Sequence, residues 1–97
     1  MDDFKNIDNL IITIAKINSI ERQSRKVIEE MFELGLEISH NYKKNNKQKI
    51  VEELVDVINS CEILLQQLTH GNSNNTLRII KLEKVLHYSK EFKHGQS

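Results

Sequence analysis

The chain has 97 residues, with 14 Lys or Arg against 14 Asp or Glu, so its formal net charge is zero. This length suits one domain over 1–97, with a small core that partner chains would help to complete. The charge balance argues against a nucleic-acid polymer as partner, and no apolar run approaches the length of a membrane span. Because Cys61 is the single cysteine, an internal disulfide is excluded and a reducing cytoplasmic location is expected.

Four helices are predicted in chain order. Proline is absent and glycine occurs three times, so few residues interrupt a helix. Apolar residues that recur every three or four positions predict helices over roughly 3–17, 20–42, 49–68 and 76–92, with a loose tail over 93–97. Asn18 or Ser19 caps the second helix, and Gly71 ends the third. The pattern predicts an all-α fold, a four-helix bundle completed by oligomerisation.

The third helix carries apolar residues around most of its circumference, which predicts a central position. Cys61 lies on its core face and is interpreted as a buried small hydrophobe. Phe32 and Leu36 lie off the core stripe of the second helix and are interpreted as part of an oligomer interface. The predicted core stripe of that helix consists of Val27, Met31, Leu34, Ile38 and Tyr42.

A row of polar residues borders the apolar stripe of the second helix. On a helical wheel these residues share one arc, whereas Glu29 points away from it. The second helix therefore shows a row of carboxylates beside its buried face. The row consists of Gln23, Lys26, Glu30, Glu33 and Glu37.

The third helix carries a second acidic pair. Glu53 and Asp56 are three residues apart and therefore share one face. Burying these carboxylates is costly unless a positive charge pairs with them, and no Lys or Arg follows Lys49 in that helix. If the two helices pack antiparallel, the two acidic pairs converge on a site that suits Mg²⁺, with Mn²⁺ as a possible substitute. The alternative is that both pairs form ordinary solvated surface.

These residues resemble the two motifs of the MazG-like, all-α nucleoside triphosphate pyrophosphohydrolases. That family carries Glu-x-x-Glu on one helix and Glu-x-x-Asp on the next, and here they read 30–33 and 53–56. The family pattern Gln-x-x-Lys-x-x-Glu-Glu-x-x-Glu-Leu is matched over 23–34, and the second motif over 52–57. The resemblance covers 23–68 and is weak in the fourth helix.

The resemblance implies hydrolysis of a ribo- or deoxynucleoside triphosphate between its α- and β-phosphates, which gives a monophosphate and pyrophosphate. It also implies assembly as a homodimer or homotetramer. The implied Mg²⁺ ligands are Glu30, Glu33, Glu53 and Asp56. Glu33 is further expected to orient the attacking water, with Lys26 contacting phosphate. The remaining expected substrate contacts are Gln23, Asn59, Lys81 and Lys84; for the two helix-four lysines, a solvated surface is the competing interpretation. For Phe32 and Leu36, stacking on a base is the alternative to the favoured oligomer interface.

The chain departs from the family pattern at two points. Val55 stands where many members have Gly or Ala before the second-motif Asp. The Tyr-His that follows this motif in phosphoribosyl-ATP pyrophosphohydrolases is absent, which argues against their activity. Two other functions remain open from sequence: a helical interaction module without catalysis, and a regulatory protein that binds a nucleotide without turning it over.

Overall fold

The computed structural model describes residues 6–41 and 46–95, and these ranges contain four helices and no strand. The helices are α1 (Ile7–Ile17), α2 (Ile20–Asn41), α3 (Lys47–Thr69) and α4 (Asn75–Gly95). The prediction of an all-α, four-helix, bundle-like fold is therefore confirmed. The predicted start of the first helix at residue 3 and the core position Tyr42 lie outside the described residues.

Side chains next to the helices cap their first turns. The Asn6 Oδ1 atom accepts a hydrogen bond from the backbone N–H of Asp8 at 2.8 Å. The Ser19 Oγ atom accepts from the N–H of Arg22 at 3.1 Å, so Ser19 and not Asn18 caps α2. These bonds satisfy backbone donors that have no partner inside the helix, and they fix where α1 and α2 begin.

The end of α3 is marked by two consecutive residues with positive φ. His70 adopts the left-handed conformation with φ 53°, and Gly71 follows with φ 82°. Glycine suits this conformation because it has no Cβ, as predicted for the end of the third helix. A Cβ at Gly71 would also approach the Gln66 Nε2 atom to 3.0 Å.

Helix α3 lies centrally, since it packs against both α1 and α2. Helices α2 and α3 run antiparallel, because Gln23 of α2 bonds to Ser60 of α3 while Glu30 of α2 lies near Glu53 of α3. Among the described residues, α4 packs against no other helix. No helix in those ranges is long and apolar enough to cross a membrane.

The apolar core within one chain is small. Among the described residues, Ile63 is the one buried hydrophobic side chain, at 9% exposure. The predicted core stripe of α2 is correct for Val27 and Leu34, which are half-buried. It is wrong for Met31 and Ile38, which are exposed because α3 packs against the other flank of the helix. The predicted burial of Cys61 is also incomplete, since it is half-buried.

Candidate metal centre

Polar side chains bind α2 to α3 at one end of the acidic row. Gln23 is 1% exposed, and its Nε2 atom donates to the backbone carbonyl of Ser60 at 3.0 Å. Its Oε1 atom accepts from Asn18 Nδ2, also at 3.0 Å. A buried amide whose polar atoms are both bonded fixes the alignment of the two helices, because shifting either helix would leave those atoms unpaired.

Three carboxylates converge where α2 crosses α3. Glu30 and Glu33 come from consecutive turns of α2, and Glu53 comes from the facing turn of α3. One carboxylate oxygen from each lies within 4.8 Å of the other two. Such a separation allows three oxygens to bind one small cation, and it makes the three charges repel one another when no cation is present.

Glu30 is the most buried member of the group. The residue is 6% exposed. Its Oε1 atom forms an ion pair with Lys26, whose Nζ atom lies 2.9 Å away. The hydrogen bond and charge of Glu30 raise the pKa of Lys26, so the lysine stays protonated. The second oxygen, Oε2, is buried and has no hydrogen-bond partner. A buried carboxylate oxygen without a donor is available to a cation.

Glu53 lies in surroundings that disfavour its negative charge. Burial raises the pKa of Glu53, and the negative charges of Glu33, Asp56, Glu30 and Glu37 raise it further. Its Oε2 atom is also buried without a hydrogen-bond partner. A divalent cation would remove both causes of this shift, since it compensates the desolvated charge and screens the neighbouring ones.

Asp56 lies beside the three carboxylates but does not belong to the group whose oxygens are within 4.8 Å of one another. It is exposed, and it borders a cleft of about 260 Å³ that also reaches Glu30. The cleft therefore joins the acidic group to polar residues suited to contact a substrate. Its lining consists of Ile14, Asn18, Gln23, Lys26, Glu30, Asp56, Asn59, Ser60 and Ile63.

The structure brings together some of the predicted substrate contacts. Lys26 and Asn59 both line the cleft. Gln23 lines it as well, but its amide is committed to Asn18 and Ser60, so its observed role is to position α2 on α3. Substrate contact by Gln23 stays a prediction.

The remaining sequence-predicted residues lie elsewhere in the single chain. Lys81 and Lys84 are exposed on α4, which does not pack against α2 or α3, so one chain does not bring them to the carboxylates. Phe32 and Leu36 are exposed on α2, as an interface would require. Glu29 is exposed and lies outside the carboxylate group.

Sequence reasoning missed the polar network that aligns the helices. The Gln67 Nε2 atom donates to the backbone carbonyls of Ala15 at 3.2 Å and Asn18 at 2.9 Å, which holds the end of α1 against α3. The Ser60 Oγ atom donates to the carbonyl of Asp56 at 2.8 Å. A signal existed for Gln67, which follows the apolar residues Ile63 and Leu64 by one helical turn, where a long amide needs buried partners.

The donor set fits Mg²⁺ or Mn²⁺. It offers carboxylate oxygens, includes two buried oxygens without partners, and contains no His or Cys. Comparisons with family models, with curated proteins and with solved structures give no match. The resemblance to the MazG-like family consequently rests on the two motifs and their flanks.

Proposed function

We propose that this chain is a Mg²⁺-dependent nucleoside triphosphate pyrophosphohydrolase of the MazG-like kind, acting in the cytoplasm on ribo- or deoxynucleoside triphosphates. The observation that carries the proposal is the convergence of Glu30, Glu33 and Glu53, with a buried Glu30 oxygen that has no partner. The ordered pair of sequence motifs supports the same conclusion. A bound Mg²⁺ supplies positive charge that neutralises phosphate oxygens and favours ionisation of water.

In this proposal each of the four acidic side chains has its own role. Glu30 and Glu53 hold the cation, since both present a buried oxygen without a hydrogen-bond partner. Glu33, the exposed member of the group, holds the cation and orients the attacking water by accepting its proton. Asp56 would complete the cation site from the border of the cleft that it shares with Glu30.

The cleft beside the carboxylates would receive the substrate. The Lys26 ammonium, held protonated by Glu30, would contact a phosphate as a point charge. Asn59 offers an amide that both donates and accepts, as recognition of a base or sugar requires. Lys81 and Lys84 would contribute to the site only if α4 of a partner chain approached it, because the α4 of the same chain does not.

A homodimer or homotetramer is the working form in this proposal. One buried hydrophobic side chain among the described residues is a small core for four helices, and a domain of this size often needs a partner to complete its core. The cleft of about 260 Å³ is also small for a nucleotide, since ligand sites of this kind usually enclose about 300–1,000 Å³.

The deciding experiment is product analysis on a panel of ribo- and deoxynucleoside triphosphates with Mg²⁺, with and without EDTA. Monophosphate plus pyrophosphate that disappears with EDTA supports the proposal and ranks the bases. Diphosphate plus phosphate would indicate a different reaction. Binding of Mg²⁺ and nucleotide without product would indicate a regulatory nucleotide-binding protein. Absence of both binding and product, with Mn²⁺ also tried, would indicate a helical interaction module.

A further inference from the structure

A second cleft lies at the amino end of α2 and is lined mainly by cationic side chains. Its volume is about 460 Å³. Three of its lining residues are cations and one is a carboxylate, so the cleft attracts anions. It shares Asn18 and Lys26 with the 260 Å³ cleft beside the carboxylate group, so the two clefts meet at these residues. The lining of this arginine cleft consists of Asn18, Arg22, Arg25, Lys26 and Glu29.

The two arginines of this cleft have no partner within the chain. Arg22 and Arg25 are exposed, and among the described residues neither guanidinium forms an ion pair or donates a hydrogen bond. Arg25 is unpaired even though Glu29 follows it by four residues, the spacing at which helical ion pairs form. The N–H donors of both guanidinium groups are therefore available to a ligand, and their fork geometry matches the oxygens of a phosphate.

The backbone of α2 adds to the positive potential of the arginine cleft. Helix α2 begins at Ile20 and has 22 residues, so Arg22 lies in its first turn, and Arg25 and Lys26 lie in the second. The aligned peptide dipoles of a helix place partial positive charge at its amino end, which favours a bound anion. The dipole and the unpaired guanidinium groups thus act in the same direction.

One row of side chains connects the arginine cleft to the carboxylate group. Arg22, Lys26 and Glu30 follow one another at intervals of four residues, so they share one side of α2. Successive members are roughly 6 Å apart along the helix axis. A phosphate chain that begins at a cation held by Glu30 and extends toward the amino end of α2 would therefore reach Lys26 first and Arg22 next.

We propose that the arginine cleft binds the terminal phosphates of the substrate, and that Arg22 and Arg25 make the chain favour a triphosphate over shorter phosphate chains. The assignment to a substrate rests on the proposed function. A single Mg²⁺ leaves a triphosphate with net negative charge, which the two guanidinium groups balance through charge-assisted hydrogen bonds. Glu29 carries the same sign of charge as a phosphate and takes no part in the binding.

This position gives the leaving group a binding site of its own. When water attacks the α-phosphorus, the bond from that phosphorus to the α–β bridging oxygen breaks, and the oxygen keeps the electron pair as part of pyrophosphate. The proton of the water passes to Glu33, as in the proposed function. Negative charge therefore increases on the departing pyrophosphate, beside Arg22 and Arg25, and their hydrogen bonds strengthen as the bond breaks.

The first test measures anion binding without turnover. The chain is stripped of metal on a chelating resin and titrated calorimetrically with inorganic tripolyphosphate at low ionic strength, where screening is weak. We expect Arg22→Gln to weaken this binding about tenfold. Arg78→Gln is the matched control and should bind as the unmodified chain does, because Arg78 is exposed on α4, which does not pack against α2. Equal losses in the two variants, no binding by the unmodified chain, or sulfate binding as tightly as tripolyphosphate would overturn the proposal.

The second test uses turnover and separates this proposal from the proposed function. In Arg22→Gln the KM for the triphosphate should rise about tenfold, whereas the inhibition constant of the matching monophosphate, which has no terminal phosphates, should not change. Arg22→Lys should recover part of the loss, because it keeps the charge without the fork. An unchanged KM in an active Arg22→Gln variant would overturn the proposal and leave the proposed function standing. Tripolyphosphate binding that depends on Arg22, in a chain that hydrolyses no nucleotide, would support the anion site and contradict the proposed function.

Discussion

The Gln23 Nε2 atom donates to the Ser60 carbonyl oxygen at 3.0 Å, and this bond sets the alignment that brings the carboxylates together. Glu30 follows Gln23 by seven residues, and Glu53 precedes Ser60 by seven residues. Seven residues are about two helical turns, so the two pairs occur on the same faces of antiparallel helices. A shift of one helix by one residue relative to the other would break this hydrogen bond and also separate Glu30 from Glu53.

Gln23→Ala should therefore weaken both the fold and the cation site. It removes the hydrogen bond to the Ser60 carbonyl and leaves the Asn18 side-chain amide without its Gln23 acceptor, at a cost of about 1–3 kcal/mol in the free energy of unfolding. Urea unfolding measures that loss, and Mg²⁺ titration calorimetry should show weaker binding. Ser24→Ala is the neighbouring control and should change little. Equal effects of the two variants would contradict the positioning role of Gln23.

Glu53→Gln should reduce turnover to below about a hundredth of the parent's, because it removes a negative charge that holds the cation while preserving volume. Asp56→Asn should act in the same direction. Circular dichroism should show that the helices persist in both variants. Glu29→Gln is the matched control, since Glu29 is exposed and outside the carboxylate group, and it should be nearly silent. If Glu29→Gln proved as damaging, the assigned helix face would be wrong.

The raised pKa of Glu53 predicts a pH dependence of metal-free stability. The unfolded carboxyl loses its proton near 4.5, whereas the folded one holds it to higher pH. Its contribution to stability is therefore fully present below about pH 4.5 and is lost as pH rises through the folded pKa. In EDTA, the melting temperature of the parent should consequently fall more steeply over that range than that of Glu53→Gln. Identical pH profiles of the melting temperature would show that the ionised Glu53 carboxylate does not destabilise the fold.

Mg²⁺ should raise the melting temperature at neutral pH, because the cation would pair with the ionised carboxylates. The melting temperature should be higher with Mg²⁺ than with EDTA for the parent and for Glu29→Gln. The difference should be much smaller for Glu53→Gln. A rise of equal size in all three proteins would indicate a general salt effect and not binding at this site.

His70→Gly should stabilise the chain by about 1 kcal/mol, because His70 adopts φ 53° without the conformational freedom of glycine. The opposite change at the next residue, Gly71→Ala, should destabilise it, since the added Cβ faces both a φ of 82° and the Gln66 amide. Urea unfolding of the parent and the two variants measures whether each change raises or lowers the free energy of unfolding. A destabilising His70→Gly would indicate an interaction of that imidazole that outweighs the strain.

The helices and the helix faces that carry the acidic residues could be predicted from sequence, because both depend on periodicity within one segment. Spacing alone placed Glu30 and Glu33 on one face of α2, and Glu53 on a face of α3. The partners of Gln23 and Gln67 could not be predicted, because a buried hydrogen bond depends on the alignment between helices. For the same reason the sequence did not reveal that Asp56 lies beside, and not within, the group of three carboxylates.

The predicted core of α2 was wrong at Met31 and Ile38 for a related reason. Helical phase identifies an apolar face, but it does not identify which neighbour covers that face. In one chain α3 covers the flank that carries Val27 and Leu34, and it leaves the adjacent flank exposed.

The isolation of α4 has a practical consequence for labelling the protein. Among the described residues, only the turn after Thr69 joins α4 to the remainder, and no helix packs on it. A fluorophore attached to an exposed α4 residue such as Tyr88 would be carried by a helix that packs against neither α2 nor α3 of its own chain. Fluorescence anisotropy from that position would report the size of the assembly without disturbing the contacts of α3 with α1 and α2.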